Sequence, residues 1–144
     1  AKAPPVNALS KPSKPPSPAI LASALIKDVP YNQPLMYFAA DHLIEKPNKL
    51  ITAINKNKSN LDKKNVFIFG IKPTSPSSEY GYFITKKKKN INKVTKFIEK
   101  PKVSKAKQII KQKGYWNSGM FYLRKDSIIN NFKKYQPNIF RNCN

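Results

Sequence analysis

Two short segments carry the side chains best suited to bind a polar ligand. FIEKP (residues 97–101) places a carboxylate and an ammonium, Glu99 and Lys100, side by side at the end of a predicted strand. Pro101 follows them and cannot continue a strand ladder, because it has no N–H group. YWNSGMF (residues 115–121) places an amide, a hydroxyl and a glycine at the start of the next apolar strand. Both segments therefore put polar groups where a buried sheet should have none.

The chemistry that these groups allow is the binding of a phosphorylated sugar. A carboxylate and an amide exchange hydrogen bonds with neighbouring hydroxyl groups, and an ammonium binds phosphate as a point charge. A glycine lets the backbone approach the ligand closely. Glu99, Lys100, Asn117 and Gly119 are the residues that supply these groups. The alternative interpretation is two ordinary strands with solvated polar ends, since short motifs also occur by chance.

Helical and strand-like patterns alternate along the chain, and these elements must position the two segments. Apolar residues at helical spacing predict helices that begin at Pro18 and near Pro47, and two further helices that are capped by Ser104 and by Asp126 or Ser127. Apolar runs and alternation predict strands over 35–40, 66–71 and 94–99, and again after Asn117. The alternation predicts an α/β fold with a Rossmann-like, mostly parallel sheet. Ligands bind such sheets at the carboxyl ends of strands, where Asp41, Glu99 and Lys100 lie.

The first residues differ in composition from the rest of the chain. Six prolines fall between Ala1 and Pro18, interspersed with lysine and serine. Proline disfavours helices and central strands, so residues 1–17 are predicted to be a flexible lead-in rich in Pro and Lys. Residues 18–144 are predicted to form a single partial domain. The absence of an initiating Met and of a signal-peptide pattern indicates an internal fragment.

The net charge of +21 is the most unusual property of the composition. Only two basic residues are arginines, Arg124 and Arg141, whereas base readout and bidentate phosphate binding favour arginine. The lysines are spread over the whole chain, so no specific nucleic-acid binding is expected, and Lys86 to Lys89 is expected to be a solvated hairpin or loop. No apolar stretch is long enough to span a membrane. One cysteine, Cys143, is consistent with a reducing compartment and a cytoplasmic location.

Four segments, in sequence order, resemble the nucleotidyltransferase domain of the mannose-1-phosphate guanylyltransferases. They are PLMYFAADHLI (34–44), FGIKPTSPSSEYGYF (69–83), FIEKP and WNSGMF (116–121). The resemblance extends from about Leu9 to the C-terminus. It implies a sheet of the nucleotide-diphospho-sugar transferase type, incomplete at both ends. Residues 18–144 would hold the half of that domain that binds the sugar phosphate.

The resemblance implies an enzyme that forms GDP-mannose and pyrophosphate from GTP and mannose 1-phosphate. Asp41 would hold a Mg²⁺ ion and would act in catalysis together with Lys100. Lys14 is a candidate for nucleotide binding. The implied substrate-binding residues are Gly81, Glu99, Lys100, Asn117 and Gly119. The residues themselves leave bland alternatives open: Asp41 could cap a turn, His42 could be a structural hydrogen-bonding group, and Trp116 could simply pack in the core.

The chain departs from the family pattern at several positions. Glu79 stands where the family has a glycine, and Pro15 and Pro16 replace an Asn and a Thr that help to hold the nucleotide. The glycine-rich phosphate-binding signature and a later metal-binding aspartate are absent. This chain alone is therefore expected to be inactive. The alternatives are another hexose-1-phosphate nucleotidyltransferase and a non-catalytic basic module that binds polyanions. The oligomeric state and a following isomerase domain are left open.

Overall fold

Strands and helices alternate over most of the chain in the computed structural model, which describes residues 5–7, 18–38, 40, 42–88 and 91–143. The strands are β1 (Pro5–Asn7), β2 (Pro34–Tyr37), β3 (Val66–Ile71), β4 (Tyr82–Lys88), β5 (Ile91–Ile98) and β6 (Tyr115–Arg124). The helices are α1 (Pro18–Ala24), α2 (Pro47–Asn57), α3 (Val103–Lys111), α4 (Lys125–Tyr135) and α5 (Pro137–Cys143), and a 3₁₀ turn, Lys58–Asn60, follows α2. The predicted α/β class is confirmed.

All six described strands belong to one sheet with the order β2-β6-β3-β1-β5-β4. β4 also pairs with the beginning of β6, so that β6, β3, β1, β5 and β4 close into a ring and β2 extends the sheet from β6. The only parallel pair among the described strands is β1 with β5. The predicted mostly parallel sheet is therefore wrong, and the sheet is mainly antiparallel.

The position of β6 explains this difference. β2 and β3 run in the same direction, as two strands joined by a helix are expected to do. β6 is inserted between them and runs opposite to both. β4 and β5 form an antiparallel hairpin without an intervening helix. Strand and helix alternation predicts the direction of successive strands, but it does not predict which strand lies between them.

A short part of the predicted flexible lead-in is a strand. Pro5–Asn7 pairs with both β3 and β5, which places β1 inside the sheet. Pro5 is the first residue of this strand, a position that tolerates a missing N–H group. The rest of the segment 1–17 lies outside the described residues, so its flexibility stays a prediction.

Two predicted helix caps differ from the structure. α3 is preceded by Lys102, not Ser104, and no side chain caps its first turn. α4 follows β6 directly, so Asp126 lies in its first turn instead of capping it. The carboxylate of Asp126 accepts hydrogen bonds from Nε and Nη2 of Arg124, at 3.0 and 2.5 Å. This hydrogen bonding raises the pKa of Arg124.

The helices bury apolar side chains on the sheet. One cluster joins α1 and α4 to β6 and consists of Leu21, Ala24, Leu123, Ile128, Ile129 and Phe132. A second cluster packs Ala106 and Ile109 of α3 on Tyr82 of β4. A third, formed by Ile68, Phe83 and Val94, joins three strands of the ring. Within the described ranges, no helix has the length and apolar character needed to cross a lipid bilayer.

Candidate functional site

The candidate site lies at a gap along one edge of β6. β3 pairs with one edge of this strand, so β4 and β2 must share the opposite edge. β4 pairs with Tyr115 and Trp116, whereas β2 pairs only from Phe121 onward. Residues 117–120, which are the NSGM of the second segment, lie between these two strands without a ladder partner on that edge. Ser118 is only 9% exposed, and its Oγ accepts a hydrogen bond from the N–H of Met120. Asn117 is half-buried, so it is the polar side chain of this stretch that a ligand can contact.

The residues of β6 at this gap form a bulge opposite β3. Ile68 pairs with Phe121 and Gly70 pairs with Asn117, so the single residue Phe69 faces three residues of β6. Gly119 is at the centre of the bulge with φ of +74°. A residue with a side chain would be strained in this left-handed conformation. The glycine of the WNSGMF segment is thus required by the backbone as well as suited to close approach of a ligand.

Three predicted site residues from different elements meet at the β4 side of the gap. A Cβ atom added at Gly81 would lie 2.7 Å from Oε2 of Glu99 and 3.6 Å from Cβ of Asn117. The Asn117 backbone N–H donates a 2.7 Å hydrogen bond to the Gly81 carbonyl. Gly81 is buried and Glu99 is exposed, so the carboxylate covers the glycine from the solvent side. Only glycine leaves room for Glu99 in this position.

The side chain of Asn117 is oriented by the bulge. Its Oδ1 accepts a 3.3 Å hydrogen bond from the N–H of Gly119. Within the described part of the chain, the amide nitrogen of Asn117 has no hydrogen-bond partner, so its two N–H groups can donate to a ligand. Glu99 supplies only acceptors when it is ionised. Together the two side chains can donate to and accept from the hydroxyl groups of a sugar.

Lys100 has an unusual backbone conformation next to Glu99. Its φ is +42°, a value that costs a residue with a Cβ atom free energy. Pro101 follows it and is buried, and α3 begins at Val103. The chain therefore turns sharply at Lys100, between a strand and a helix that are both fixed by packing. Backbone strain of this kind clusters at binding sites, and the side chain of Lys100 is exposed to solvent.

The β2 side of the gap is bordered by the segment after that strand. Cε1 of His42 lies 3.9 Å from a Cβ atom added at Gly119. The exposed side chain of His42 therefore lies next to the bulge. Its sequence context did not indicate this position. Asp41 and Lys14, the predicted metal and nucleotide ligands, lie outside the described residues, so their roles stay predictions.

Phe97 was not predicted as a site residue, but it reaches the same cluster. Its Cζ lies 3.2 Å from a Cβ atom added at Gly81, and the residue is 36% exposed. Phe97 and Glu99 are two residues apart at the end of β5, where alternate side chains point to the same face. This spacing could have identified Phe97 as an apolar wall next to Glu99. Trp116 is partly buried: it packs against Tyr82, Ala106 and Ile109, and the ring of Tyr80, which is 47% exposed, lies 4.7 Å from it on centroids.

The donor set at the site limits which metals could bind. Among the residues that the structure describes, no three His, Cys, Asp or Glu side chains form a group that could hold a metal ion. Mg²⁺ often binds to one or two protein carboxylates and otherwise to phosphate oxygens and water. A Mg²⁺ ion held by one protein carboxylate and by the substrate phosphates is compatible with this set. A structural zinc site, which needs four protein ligands, is not compatible with these residues.

Sequence comparison places most of the chain in one family. Residues 7–144 match the family described as Nucleotidyl transferase. The mannose-1-phosphate guanylyltransferase of Escherichia coli is 33% identical over 137 residues, which cover 88% of this chain and 30% of that protein. The enzyme of the same name from Salmonella muenchen is 32% identical and is matched over 89% of this chain and 28% of its own length. The chain thus spans less than a third of these curated relatives.

Solved structures show the same fold. A mannose-6-phosphate isomerase from Helicobacter pylori superimposes with a TM-score of 0.73 and 33% identity, over 88% of this chain and 48% of that one. A protein from Thermus thermophilus, described as a mannose-1-phosphate geranyltransferase, has a TM-score of 0.69 and 23% identity, over 88% and 37%. With the family match over residues 7–144, the conclusion is that the chain belongs to the nucleotidyl transferase family.

Proposed function

We propose that the chain is the sugar-phosphate-binding part of an enzyme that forms GDP-mannose and pyrophosphate from GTP and mannose 1-phosphate. The observation that carries this proposal is the meeting of Gly81, Glu99 and Asn117 at the gap in β6. These residues come from three separate segments, and each segment resembles a sugar-binding motif of the guanylyltransferases. The names of the relatives supply the nucleotide and the sugar phosphate as the class of substrates.

Each residue has a role that follows from its chemistry. Glu99 accepts hydrogen bonds from sugar hydroxyl groups, and the amide of Asn117 donates to them. The bare backbone at Gly81 and Gly119 lets the sugar ring approach the strands. Lys100 neutralises the phosphate, which lies on the solvent side of the strand end.

In the proposed reaction, an oxygen of the sugar phosphate attacks the α-phosphorus of GTP. One P–O bond forms to the sugar phosphate, the bond to the β-phosphate oxygen breaks, and pyrophosphate leaves with the electron pair. The attacking phosphate oxygen is already ionised, so no general base is needed. This chain contributes by orienting the sugar phosphate and by supplying the charge of Lys100. Asp41 is proposed to hold Mg²⁺, which supplies charge neutralisation at the phosphates.

The proposal is tested by measuring the binding of two ligands to two variants. Glu99→Ala should weaken the binding of both mannose and mannose 1-phosphate, because it removes hydroxyl contacts. Lys100→Ala should weaken only the binding of mannose 1-phosphate, by roughly 1.5–3 kcal/mol for a lost charged hydrogen bond. Isothermal titration calorimetry with both ligands separates the two effects.

A lysine away from the site provides the control for charge. Lys107 is exposed on α3, and Lys107→Ala removes the same charge. It should leave the affinity for both ligands unchanged. Equal losses of mannose affinity in the Lys100 and Glu99 variants would contradict the assigned roles. Incubation with GTP, Mg²⁺ and mannose 1-phosphate is expected to yield pyrophosphate from this chain far more slowly than the roughly 1 s⁻¹ of an ordinary enzyme.

A further inference from the structure

The hydroxyl group of Tyr82 holds the loop that precedes β4. It accepts a 2.9 Å hydrogen bond from the N–H of Ser77 and donates a 3.0 Å hydrogen bond to the carbonyl of the same residue. Tyr82 is completely buried, with 0% of its surface exposed. A single side chain thus satisfies both backbone groups of Ser77, in the middle of a loop that would otherwise have to bond to water.

The ring of Tyr82 contacts the two other segments of the site. It packs with Ala106 and Ile109 of α3, the helix that begins at Val103, two residues after Pro101. Its edge faces Trp116, with 6.4 Å between the ring centroids and 75° between the planes. Trp116 immediately precedes Asn117 in β6. Tyr82 is therefore in contact with α3, which begins three residues after Lys100, and with β6, which carries Asn117, and it bonds to the loop that carries Gly81.

The Tyr82 hydroxyl holds the middle of this loop. Residues 72–81 have no helix or strand of their own. The N–H of Glu79 donates a 3.1 Å hydrogen bond to Oγ of Ser77, so the following turn is built on the residue that Tyr82 holds. At its end the loop is fixed by the hydrogen bond from Asn117 to the Gly81 carbonyl. Without the Tyr82 hydroxyl, the described contacts that still hold the loop are this terminal hydrogen bond, the local turn, and the ring of Tyr80, whose centroid lies 4.7 Å from that of Trp116.

We infer that Tyr82 is the positioning residue of the site: its hydroxyl sets the path of the 72–81 loop, and its ring sets that path relative to Lys100 and Asn117. The inference rests on the proposed sugar-phosphate function, because that function identifies the ligand that the loop is positioned to contact. A Cβ atom added at Gly81 would lie 2.7 Å from Oε2 of Glu99, so a shift of the loop moves the surface against which the sugar lies. The phosphate end, held by Lys100, does not depend on the hydroxyl.

The test is Tyr82→Phe, which keeps the buried ring and removes only the hydroxyl. Backbone amide exchange at Ser77 should become faster, because its N–H loses its acceptor. The affinity for mannose 1-phosphate should fall about three- to tenfold, the change that corresponds to one neutral hydrogen bond. The affinity for inorganic phosphate should stay the same. A general loss of stability would lower both affinities, so this split identifies a positioning role.

Tyr122→Phe is the matched control. Tyr122 is another buried tyrosine, with 5% of its surface exposed, and it packs in a different cluster with Phe67. Its substitution should alter neither Ser77 exchange nor either affinity. Unchanged Ser77 exchange in Tyr82→Phe would overturn the inference, as would equal losses for phosphate and mannose 1-phosphate. If the wild-type chain binds inorganic phosphate but not mannose 1-phosphate, the proposed function fails and the sugar role of Tyr82 with it, while Ser77 exchange still shows whether the loop is held.

Discussion

Two glycines of the sheet, Gly70 and Gly81, illustrate how single residues serve either packing or binding. Both are buried. A Cβ atom added at Gly70 would lie 2.6 Å from Cζ of Phe83 and 2.9 Å from Cβ of Tyr115, both inside the ring of strands. At Gly81 the same atom would meet the end of the Glu99 side chain and the outer edge of Phe97. The side chains next to Gly70 are packed inside the sheet and have no room to shift, whereas the Glu99 and Phe97 side chains next to Gly81 can shift toward solvent.

Alanine at Gly70 should therefore lower the stability of the protein, whereas alanine at Gly81 should mainly weaken ligand binding. Gly70→Ala overpacks a buried cluster and should lower the free energy of unfolding by about 1–3 kcal/mol. Gly81→Ala should cost less than about 1 kcal/mol but should displace Glu99 and weaken mannose 1-phosphate binding. Urea unfolding and ligand titration on the same two variants measure both quantities. The assignment of Gly81 to the site fails if Gly81→Ala binds the ligand as tightly as the wild type.

At the scale of elements, the turn between α1 and β2 is held by a buried lysine. Lys125 is the first residue of α4 and only 6% of its surface is exposed. Its Nζ donates hydrogen bonds to the carbonyls of Ile26 and Val29, at 2.6 and 2.7 Å. The ammonium charge thus faces two carbonyl dipoles instead of a carboxylate. The contact joins residues almost a hundred positions apart in the chain.

Lys125→Met should destabilise the protein, because it keeps the apolar stem and removes the charged donor from two carbonyls. A loss of roughly 1.5–3 kcal/mol in the free energy of unfolding is expected for a hydrogen bond to a charged group. Lys107→Met, on the exposed face of α3, is the control and should change stability by less than about 0.5 kcal/mol. Urea unfolding of the three proteins measures the difference. Equal stabilities would show that the Lys125 ammonium contributes nothing beyond its stem.

Local sequence patterns predicted the elements better than their pairing. β3 was predicted over the residues that form it, 66–71, because a continuous apolar run bounded by polar residues specifies a buried strand on its own. A solvated hairpin or loop was predicted at Lys86 to Lys89, and β4 and β5 pair antiparallel up to Lys88 and Ile91, while Lys89 lies outside the described residues. The insertion of β6 between β2 and β3 depends on contacts far apart in sequence. No local pattern carries that information.

The same limit applies to the candidate site. The chemistry of Glu99 and Asn117 could be inferred from their side chains, and Gly81 from the resemblance of its loop. Their convergence required the gap on the edge of β6, which exists because β4 and β2 share that edge without meeting. The contribution of Phe97 was missed because an apolar residue in a strand normally indicates only the core.

At the scale of the whole molecule, one long stretch of the chain carries very little negative charge. Between Tyr80 and Lys125 the only acidic residue is Glu99. Lys86 of β4 pairs directly with Lys93 of β5. Lys96 of β5 pairs with Ile84, a residue that packs against the cluster of Tyr82, Ala106 and Ile109. We call Lys86, Lys93 and Lys96 the basic ribbon. Like charges directly opposite each other destabilise a sheet, and no described lysine forms an ion pair.

The basic ribbon should be the main site of sequence-blind nucleic-acid binding at low salt. Replacing its three lysines by glutamine should reduce the slope of log K against log salt by about 2–3, since each phosphate contact contributes about 0.9. The control replaces Lys56, Lys58 and Lys63, exposed lysines near Asp62, and removes the same charge. Its slope should change by less than about 1.

Fluorescence anisotropy with two unrelated duplexes across a salt series measures these slopes. Both duplexes should bind equally, because lysines contact phosphates and do not read bases. Equal changes in slope for the two triple variants would show that the charge acts diffusely over the molecule. Tight binding of one duplex at physiological salt would instead favour a specific nucleic-acid protein over the proposed enzyme part.

The strand with the most partners is also the last one that the ribosome makes in the described part of the chain. β6 pairs with β2, β3 and β4, and it joins Leu35 to Leu123 across most of the polypeptide. Such non-local pairing slows folding, because the chain loses the entropy of long loops before the contacts that those loops bring together can stabilise it. Until Arg124 has emerged, the apolar strands β2 and β3 have no shared neighbour and their edges are open to other nascent chains. The yield of folded protein in a cell should therefore depend on translation speed upstream of β6.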